Sequence, residues 1–258
     1  MKSIAPTLAL ALASVLLLSC GSNSGSASNS QSSSTPGQAQ GVYLGNTSTG
    51  YALNGIILPN DKFYAIYGSV SGNAFYVCGI ATGQGASDSG KFTATESDFD
   101  YCDGPQVVYS GTVAATYTRG SSISGSITEN GNAATFTGTV PVVSLFDYNT
   151  PASLATISGS WSGSLTDGES ASVTVDSSGV ANGISSSGCA FSATISADSS
   201  NKNFFDVSLT FGDSPCELPN QSATGIAVNY LLSDGVTNQL VAGVSSASSF
   251  GIVFAAQR

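Results

Sequence analysis

The sequence contains no histidine, and lysine and arginine together number only six. The absence of an imidazole excludes Ser-His-Asp triads, Cys-His dyads and histidine-containing zinc and iron sites. What is left is carboxylate, hydroxyl or lysine chemistry. The formal net charge of −10 also argues against nucleic-acid binding, because neutralising phosphates requires Lys and Arg.

Charged residues of both signs are scarce, at 9% of the chain, whereas ordinary globular proteins carry about 25%. A surface with so few charges is built from Ser, Thr, Asn and Gly rather than from salt-bridged helices. Beyond residue 40, Gly, Ser, Thr, Val, Tyr and Phe are abundant, and this composition favours strands and turns. We therefore predict an all-β protein.

The N-terminus has the pattern of a secretory signal peptide, residues 1–19. Lys2 supplies a positive charge, and residues 4–18 are apolar over a length typical of a signal-peptide core and short for a membrane span. Residues 17–20, Leu-Leu-Ser-Cys, resemble the lipobox of bacterial outer-membrane lipoproteins. The resemblance implies cleavage before Cys20, a diacylglycerol group on its sulfur and a fatty acid such as palmitate on the new amino group. The alternative is an ordinary cleaved signal that leaves Cys20 as a free thiol.

The residues that follow Cys20 bear on location and reach. Gly21 stands where an Asp would retain such lipoproteins at the inner membrane, so the resemblance implies a lipid anchor in the outer membrane, facing either the periplasm or the exterior. Residues 20–40, rich in Ser and Gly, bury too little apolar surface to fold. We predict a disordered tether with a reach on the order of 25 Å.

The body of the chain consists of two similar halves. Each begins with the pattern G-x-aromatic-x-G, which contains Tyr43 in the first half and Trp161 in the second. Each then carries two cysteines at a similar spacing and a glycine nine residues after the second one. These residues are Cys78, Cys102 and Gly111 in the first half, and Cys189, Cys216 and Gly225 in the second. The shared order indicates an internal repeat.

Alternating apolar and polar residues, separated by turn residues, divide each half into eight short strands. Their short connections favour a meander, and closing such a meander into a barrel removes exposed edges. We predict two tandem antiparallel eight-stranded barrels at residues 41–140 and 159–258, joined by a connector at 141–158. In each strand, one face is expected to be buried and the other to be in contact with water.

The cysteines are consistent with this fold. If Cys20 carries lipid, four of the five cysteines remain, and the midpoint of each pair falls in a predicted turn between the fourth and fifth strands of its half. We therefore predict that Cys78 bonds to Cys102 and Cys189 to Cys216, because exported proteins fold in an oxidising compartment. Closing each loop stabilises the fold by about 3 kcal/mol on the chain-entropy model. A metal site is disfavoured, since no C-x-x-C spacing occurs.

Residues 159–163, Gly-Ser-Trp-Ser-Gly, resemble the opening strand of calycin-type barrels. Lipocalins have a G-x-W near their start, and the barrel lobes of transferrin-binding-protein-like surface lipoproteins begin similarly. The first half departs from this pattern, with Tyr43 in place of the tryptophan. The resemblance implies a barrel fold but supplies no binding residues for this chain.

Glu96, Asp98 and Asp100 form the densest group of charges and alternate along one strand face. They can bind Ca²⁺ or serve as the carboxylates of a glycosidase. Their parity with Phe92 and Ala94 would direct them inward, whereas counting back from Cys102 directs them outward. We predict a bulge and outward carboxylates.

Aromatic residues are concentrated in the first half. They can either line a ligand pocket or fill the interior of a small barrel, and filling the interior is the commoner role. They are Tyr43, Phe63, Tyr64, Tyr67, Phe75, Tyr76, Tyr109 and Tyr117. Trp161 is predicted to plug the core of the second barrel.

These observations favour a non-enzymatic module of the cell envelope that binds a small apolar ligand or a protein partner and is attached to the membrane by its lipid. We expect no cofactor, no metal and no catalytic residue. Two alternatives are a carboxylate-dependent hydrolase of envelope glycans and a purely structural envelope protein.

Overall fold

The computed structural model describes residues 38–72, 74–246 and 249–258. The predicted signal peptide, Cys20 and most of the predicted tether lie outside these residues. The described part contains sixteen strands and a short 3₁₀ helix, Leu154–Thr156. The first eight strands are β1 (Gly41–Thr47), β2 (Ala52–Ile57), β3 (Lys62–Ser71), β4 (Ala74–Asp88), β5 (Lys91–Asp100), β6 (Val107–Thr118), β7 (Ser122–Glu129) and β8 (Asn132–Thr139). The second eight are β9 (Gly159–Leu165), β10 (Ser170–Val175), β11 (Val180–Ser185), β12 (Ala190–Ala197), β13 (Phe205–Phe211), β14 (Ser222–Leu231), β15 (Asn238–Ser246) and β16 (Phe250–Gln257).

Each set of eight strands closes into an antiparallel barrel in simple meander order. In the first barrel β1 pairs with β8, with Leu44 opposite Thr139. In the second barrel β16 pairs with β9, with Ala255 opposite Ser164. The prediction of two tandem eight-stranded barrels is confirmed, and closure gives every strand a partner on both sides.

One disulfide lies in each barrel, at equivalent places. Cys78, in β4, is bonded to Cys102, which follows β5. Cys189, just before β12, is bonded to Cys216, which follows β13. Both bonds therefore close the open end of the hairpin between the fourth and fifth strands, as predicted.

The opening strand of each barrel places a large aromatic side chain in the core. The Tyr43 hydroxyl donates a hydrogen bond to the carbonyl of Ala39 at 2.8 Å, and the Trp161 indole N–H donates one to the carbonyl of Ile157 at 2.7 Å. In both cases the acceptor lies four residues before the donor, and both aromatic side chains are buried. The two halves thus repeat the same hydrogen bond between a buried aromatic side chain and a preceding backbone carbonyl. The predicted core role of Trp161 is confirmed.

The two barrels share a hydrophobic cluster, which we term the inter-barrel core. It is formed by the outer faces of strands of both barrels together with the connector. Its members include Ile56, Tyr64, Ile66, Phe75, Val77, Ile80, Phe99 and Tyr101 from the first barrel, Ile226, Val228, Val241, Val253 and Ala255 from the second, and Phe146, Tyr148 and Phe204.

The expectation that every strand has one face exposed to solvent is therefore wrong for the strands at the inter-barrel core. In β3, β14 and β15, apolar residues occupy neighbouring positions of both parities, as Tyr64 and Phe63 do in β3. One parity fills the barrel and the other packs against the neighbouring barrel. A strand buried on both faces has a nearly continuous apolar sequence rather than an alternating one.

Two glycines on the outer face of the second barrel allow the close approach. A Cβ atom at Gly243 would lie 2.6 Å from Cδ1 of Ile80, and one at Gly251 would lie 2.5 Å from Cδ2 of Phe99. Beside them, the Tyr101 hydroxyl donates a hydrogen bond to the carbonyl of Gly251 at 2.9 Å. Side chains of the first barrel therefore contact the backbone of the second.

The connector between the barrels is packed against both of them. Phe146 and Tyr148 are buried, and the Tyr148 ring stacks on Phe204 with 6.5 Å between ring centroids. The Tyr148 hydroxyl also donates a hydrogen bond to the carbonyl of Ile57 at 3.3 Å. Because of these contacts, the connector contributes to the core that joins the barrels.

We predict that Ile80→Ala lowers the free energy of unfolding by about 2–5 kcal/mol. Ile80 is 0% exposed in the inter-barrel core, so truncating it leaves a void. Urea denaturation provides the measurement. Ile184→Ala is the matched control, because Ile184 is 53% exposed, and it should change the stability by less than about 0.5 kcal/mol. Equal effects of the two substitutions would show that the barrels do not depend on this contact.

Candidate functional site

The acidic strand β5 places Glu96 and Asp98 inside the first barrel, where they are 5% and 8% exposed. The prediction that they point outward is wrong. The pairing of β5 with β4 and β6 continues from Phe92 to Asp98 without a register shift. With no bulge present, the carboxylates keep the inward parity of Phe92.

Small residues make room for Glu96. It lies opposite Gly83 on one neighbouring strand and Gly111 on the other. Gly111 in turn lies opposite Glu129 of β7, and a Cβ atom at Gly111 would clash with the Glu96 carboxylate and the Glu129 side chain. Glu96 and Glu129 are thus brought together across Gly111. We term Glu96, Asp98 and Glu129 the carboxylate cluster.

A tyrosine partners one member of the carboxylate cluster. The Tyr67 hydroxyl donates to the two carboxylate oxygens of Asp98, at 2.8 and 3.0 Å. Both oxygens of Glu96, by contrast, are buried without a hydrogen-bond partner among the described atoms. Two facing carboxylates offer only acceptors, so a proton is needed before one can donate to the other.

Burial is the main cause of raised pKa values in the carboxylate cluster. It raises the pKa of Glu96 to about 8, with a further increase from the charges of Glu129 and Asp98. It raises the pKa of Asp98 to about 7 although the hydrogen bond from Tyr67 acts in the opposite direction. The pKa of Glu129 is also raised by burial. These raised pKa values mean that the carboxylate cluster retains protons at neutral pH.

Asp100, the third residue of the predicted acidic site, has a different role. Its carboxylate accepts a hydrogen bond from the backbone N–H of Cys102 at 2.7 Å, so it caps the turn that contains the disulfide. The described residues contain no group of three or more His, Cys, Asp or Glu side chains placed to hold a metal ion.

We predict that the protein becomes less stable as pH rises from about 5 to about 8.5. The pKa values of Glu96 and Asp98 lie above the ordinary values near 4 that apply in the unfolded chain. The folded state therefore binds more protons over this range, and the free energy of unfolding falls with increasing pH. Thermal melts across the range measure this dependence.

Glu96→Gln should flatten that pH dependence, because it removes one of the raised titrations while keeping the size of the side chain. Asp103→Asn is the control, since Asp103 is exposed, and it should melt with the slope of the unsubstituted protein. If Glu96→Gln kept the full slope, Glu96 would not be a group that takes up a proton on folding.

The second barrel contains an internal space of about 160 Å³, which we term the second-barrel cavity. Its walls are inward-facing apolar side chains. They include Val173, Val175, Ala181, Phe191, Ala193, Val207, Leu209, Ala227, Ala242 and Val244. Alanine and valine at so many inward positions leave the space unfilled.

The first barrel is more fully packed. Its internal space is about 70 Å³, because larger side chains occupy the interior. Tyr43, Phe63 and Tyr67 lie on the inner face, and Phe63 packs edge-on against Phe92 with 5.9 Å between ring centroids. These aromatic residues mainly fill the barrel.

Other aromatic residues of the first half lie elsewhere. Tyr64 and Phe75 belong to the inter-barrel core, and Tyr76 is exposed.

Three carboxylates stand at one end of the second-barrel cavity. Asp167 and Glu169 come from the loop between β9 and β10, and Glu217 comes from the loop between β13 and β14. Asp167 and Glu217 are exposed and Glu169 is half-buried, so this end of the cavity meets solvent. We term these three residues the acidic rim.

Sequence reasoning missed both the second-barrel cavity and the acidic rim. The sequence feature that could have indicated the cavity is the concentration of Ala and Val at inward positions of the second half. The rim residues are scattered over two loops, and only the closed barrel brings them together.

A larger concavity, about 560 Å³, lies as a groove between the barrels. Its lining includes Lys62, Asp198 and Asp206 together with Phe204 and Ile226. Charges of both signs line it, so it does not define one class of ligand.

No family model matches the sequence, and no curated protein sequence matches it significantly. Among solved structures, the chain is similar to isotype 1 transferrin binding protein B (TbpB) from serogroup B Neisseria meningitidis, with a TM-score of 0.27 and 11% identity over 81% of this chain and 63% of that chain. It therefore spans less than two thirds of the TbpB structure. A protein of unknown function from the DUF3598 family of Nostoc punctiforme is similar with a TM-score of 0.25 and 12% identity over 86% of this chain and 96% of that chain. Both similarities are too distant to assign a function.

Within the part of the chain that the structure describes, no helix has the length and hydropathy of a membrane span.

Proposed function

We propose that the protein is a lipid-anchored lipoprotein of the bacterial outer membrane that acts as a non-enzymatic binding module. In this proposal the second barrel holds a small apolar ligand and the first barrel is a packed support. The main support for the proposal is the second-barrel cavity, which has apolar walls and is open to solvent at one end. Ligand sites are typically concave, mostly apolar and largely pre-formed.

The size of the second-barrel cavity argues against a purely structural role. Empty space in a protein interior forfeits packing, at about 24 cal/mol per Å³ in large-to-small substitutions. For about 160 Å³ this amounts to roughly 4 kcal/mol. A barrel with only a structural role would be stabilised by filling this space, as the first barrel does with aromatic side chains.

The burial of the carboxylate cluster favours binding over glycan hydrolysis. A glycosidase needs two carboxylates on either side of a glycosidic bond, with space for the sugar between them. Glu96 and Asp98 are inside the first barrel at 5% and 8% exposure, and neither lines the internal space of that barrel.

Filling the second-barrel cavity should abolish ligand binding. Ala193 points into the cavity, so we expect Ala193→Phe to weaken binding of an apolar probe such as toluene more than tenfold, because the new ring occupies its place. Isothermal titration calorimetry measures the affinity. Ser192→Phe is the matched control, because it introduces the same ring one position away on the exposed outer face of β12. Equal affinity of the two variants for the probe would show that the probe does not bind in the second-barrel cavity.

The lipid anchor has its own test. We expect mass spectrometry of the mature protein to find an N-terminal Cys20 that carries a diacylglycerol group and an additional acyl chain, since two or more chains are needed for stable anchoring. Cys20→Ser should release the protein from the membrane fraction. An unmodified N-terminus on the membrane-associated protein would refute the lipoprotein proposal and leave the cavity proposal intact.

A further inference from the structure

We propose that the second-barrel cavity binds an organic cation, a protonated amine or quaternary ammonium whose apolar part is about as large as a benzene ring. This inference rests on the proposed function, namely that the cavity is a ligand site. It adds the charge and the size of the ligand.

The size follows from the volume of the cavity. An engineered protein cavity of about 150 Å³ lined by Leu, Ile and Phe stays dry and binds benzene. The second-barrel cavity has about 160 Å³ and walls of the same chemical kind, with Leu209, Phe191 and Phe254 among them. It therefore accommodates one aromatic ring or a chain of about six carbons.

The charge follows from the acidic rim. The backbone N–H of Glu169 donates to the Asp167 carboxylate at 2.9 Å. The Glu169 carboxylate accepts hydrogen bonds from Ser187, at 2.9 Å from its hydroxyl and 3.3 Å from its backbone N–H. These contacts hold two carboxylates of the rim in place, and Ser187 lines the cavity as well. A ligand with its ring in the cavity has its polar group at this rim.

No lysine or arginine offsets the acidic rim among the residues that line the cavity. The two cations of the second half lie at the opposite end of the barrel. Arg258 donates to the carbonyls of Ser158 and Thr156 at 2.7 and 2.9 Å, and Lys202, between β12 and β13, donates to Asn149 at 2.8 Å. The potential at the entrance is therefore negative, and it attracts cations and repels anions.

The carboxylates of the acidic rim also affect one another. Burial raises the pKa of Glu217, and the charges of Asp167 and Glu169 raise it further. Burial likewise raises the pKa of Asp167. The hydrogen bond from the Glu169 backbone N–H acts in the opposite direction, and the Glu169 charge raises this pKa. A bound cation relieves this repulsion. A metal ion is not favoured, because the described residues contain no group placed to ligate one.

Three probes that share a phenylethyl group test the inference by calorimetry on the purified protein at low salt. They are 2-phenylethylamine, 2-phenylethanol and 3-phenylpropionate. We expect the amine to bind at least about fivefold more tightly than the alcohol, and the carboxylate to bind most weakly. The preference for the amine should shrink as salt is added, because these charges are accessible to solvent.

The triple variant Asp167→Asn, Glu169→Gln, Glu217→Gln should bind the amine no better than the alcohol. Unchanged affinity for the alcohol shows that the variant is folded. If the triple variant fails to fold, Glu217→Gln alone replaces it, since Glu217 is exposed. This single variant should partially lower the preference for the amine over the alcohol.

Different failures separate the two proposals. If the alcohol bound the native protein as tightly as the amine, the charge inference would be overturned while the cavity proposal stood. If none of the three probes bound, both would be overturned.

Discussion

Closure of the barrels is the constraint on which the rest of the structure depends. In a closed strand meander every side chain points either into a small interior or away from it, and successive residues alternate. The choice of residue at each inward position therefore decides whether a barrel is full or hollow. Tyr43, Phe63 and Phe92 fill the first barrel, whereas the many inward alanines and valines of the second leave about 160 Å³ open. The outward positions decide the second level of assembly, since apolar residues there join the two barrels through the inter-barrel core.

The two barrels share one plan and differ in how they use the same end. In the first barrel, this end holds the carboxylate cluster inside the interior, with Tyr67 bonded to Asp98. In the second barrel, the equivalent end carries the acidic rim, which stays in contact with solvent around the cavity. The first arrangement retains protons because burial disfavours charge. The second leaves its carboxylates accessible to solvent. The two halves of the repeat thus differ in the exposure of their carboxylates, which are buried in the first barrel and open to solvent in the second.

Much of the fold was predictable because it depends on local patterns. The sixteen strands follow from alternation and turn residues, and the disulfides Cys78–Cys102 and Cys189–Cys216 follow from midpoints in turns. The orientation of Glu96 was predicted wrongly, because counting back from Cys102 gives it an outward parity, whereas β5 pairs without a bulge. Raised pKa values then keep the buried carboxylates protonated. The inter-barrel core was missed because Ile80 and Val253 meet only after both barrels close. The acidic rim was missed for the same reason, since Asp167 and Glu217 come from separate loops.

The central claim is that the second barrel is a ligand-binding barrel and the first is a packed one. Methyl-resolved NMR during titration with 2-phenylethylamine tests this most directly. The account predicts saturable shifts in the methyl groups of Val207, Leu209 and Val244, which line the second-barrel cavity. It predicts no shifts in Val113 and Ile123 of the first barrel core. Shifts confined to the first barrel, or spread over the outer surface without saturation, would contradict it.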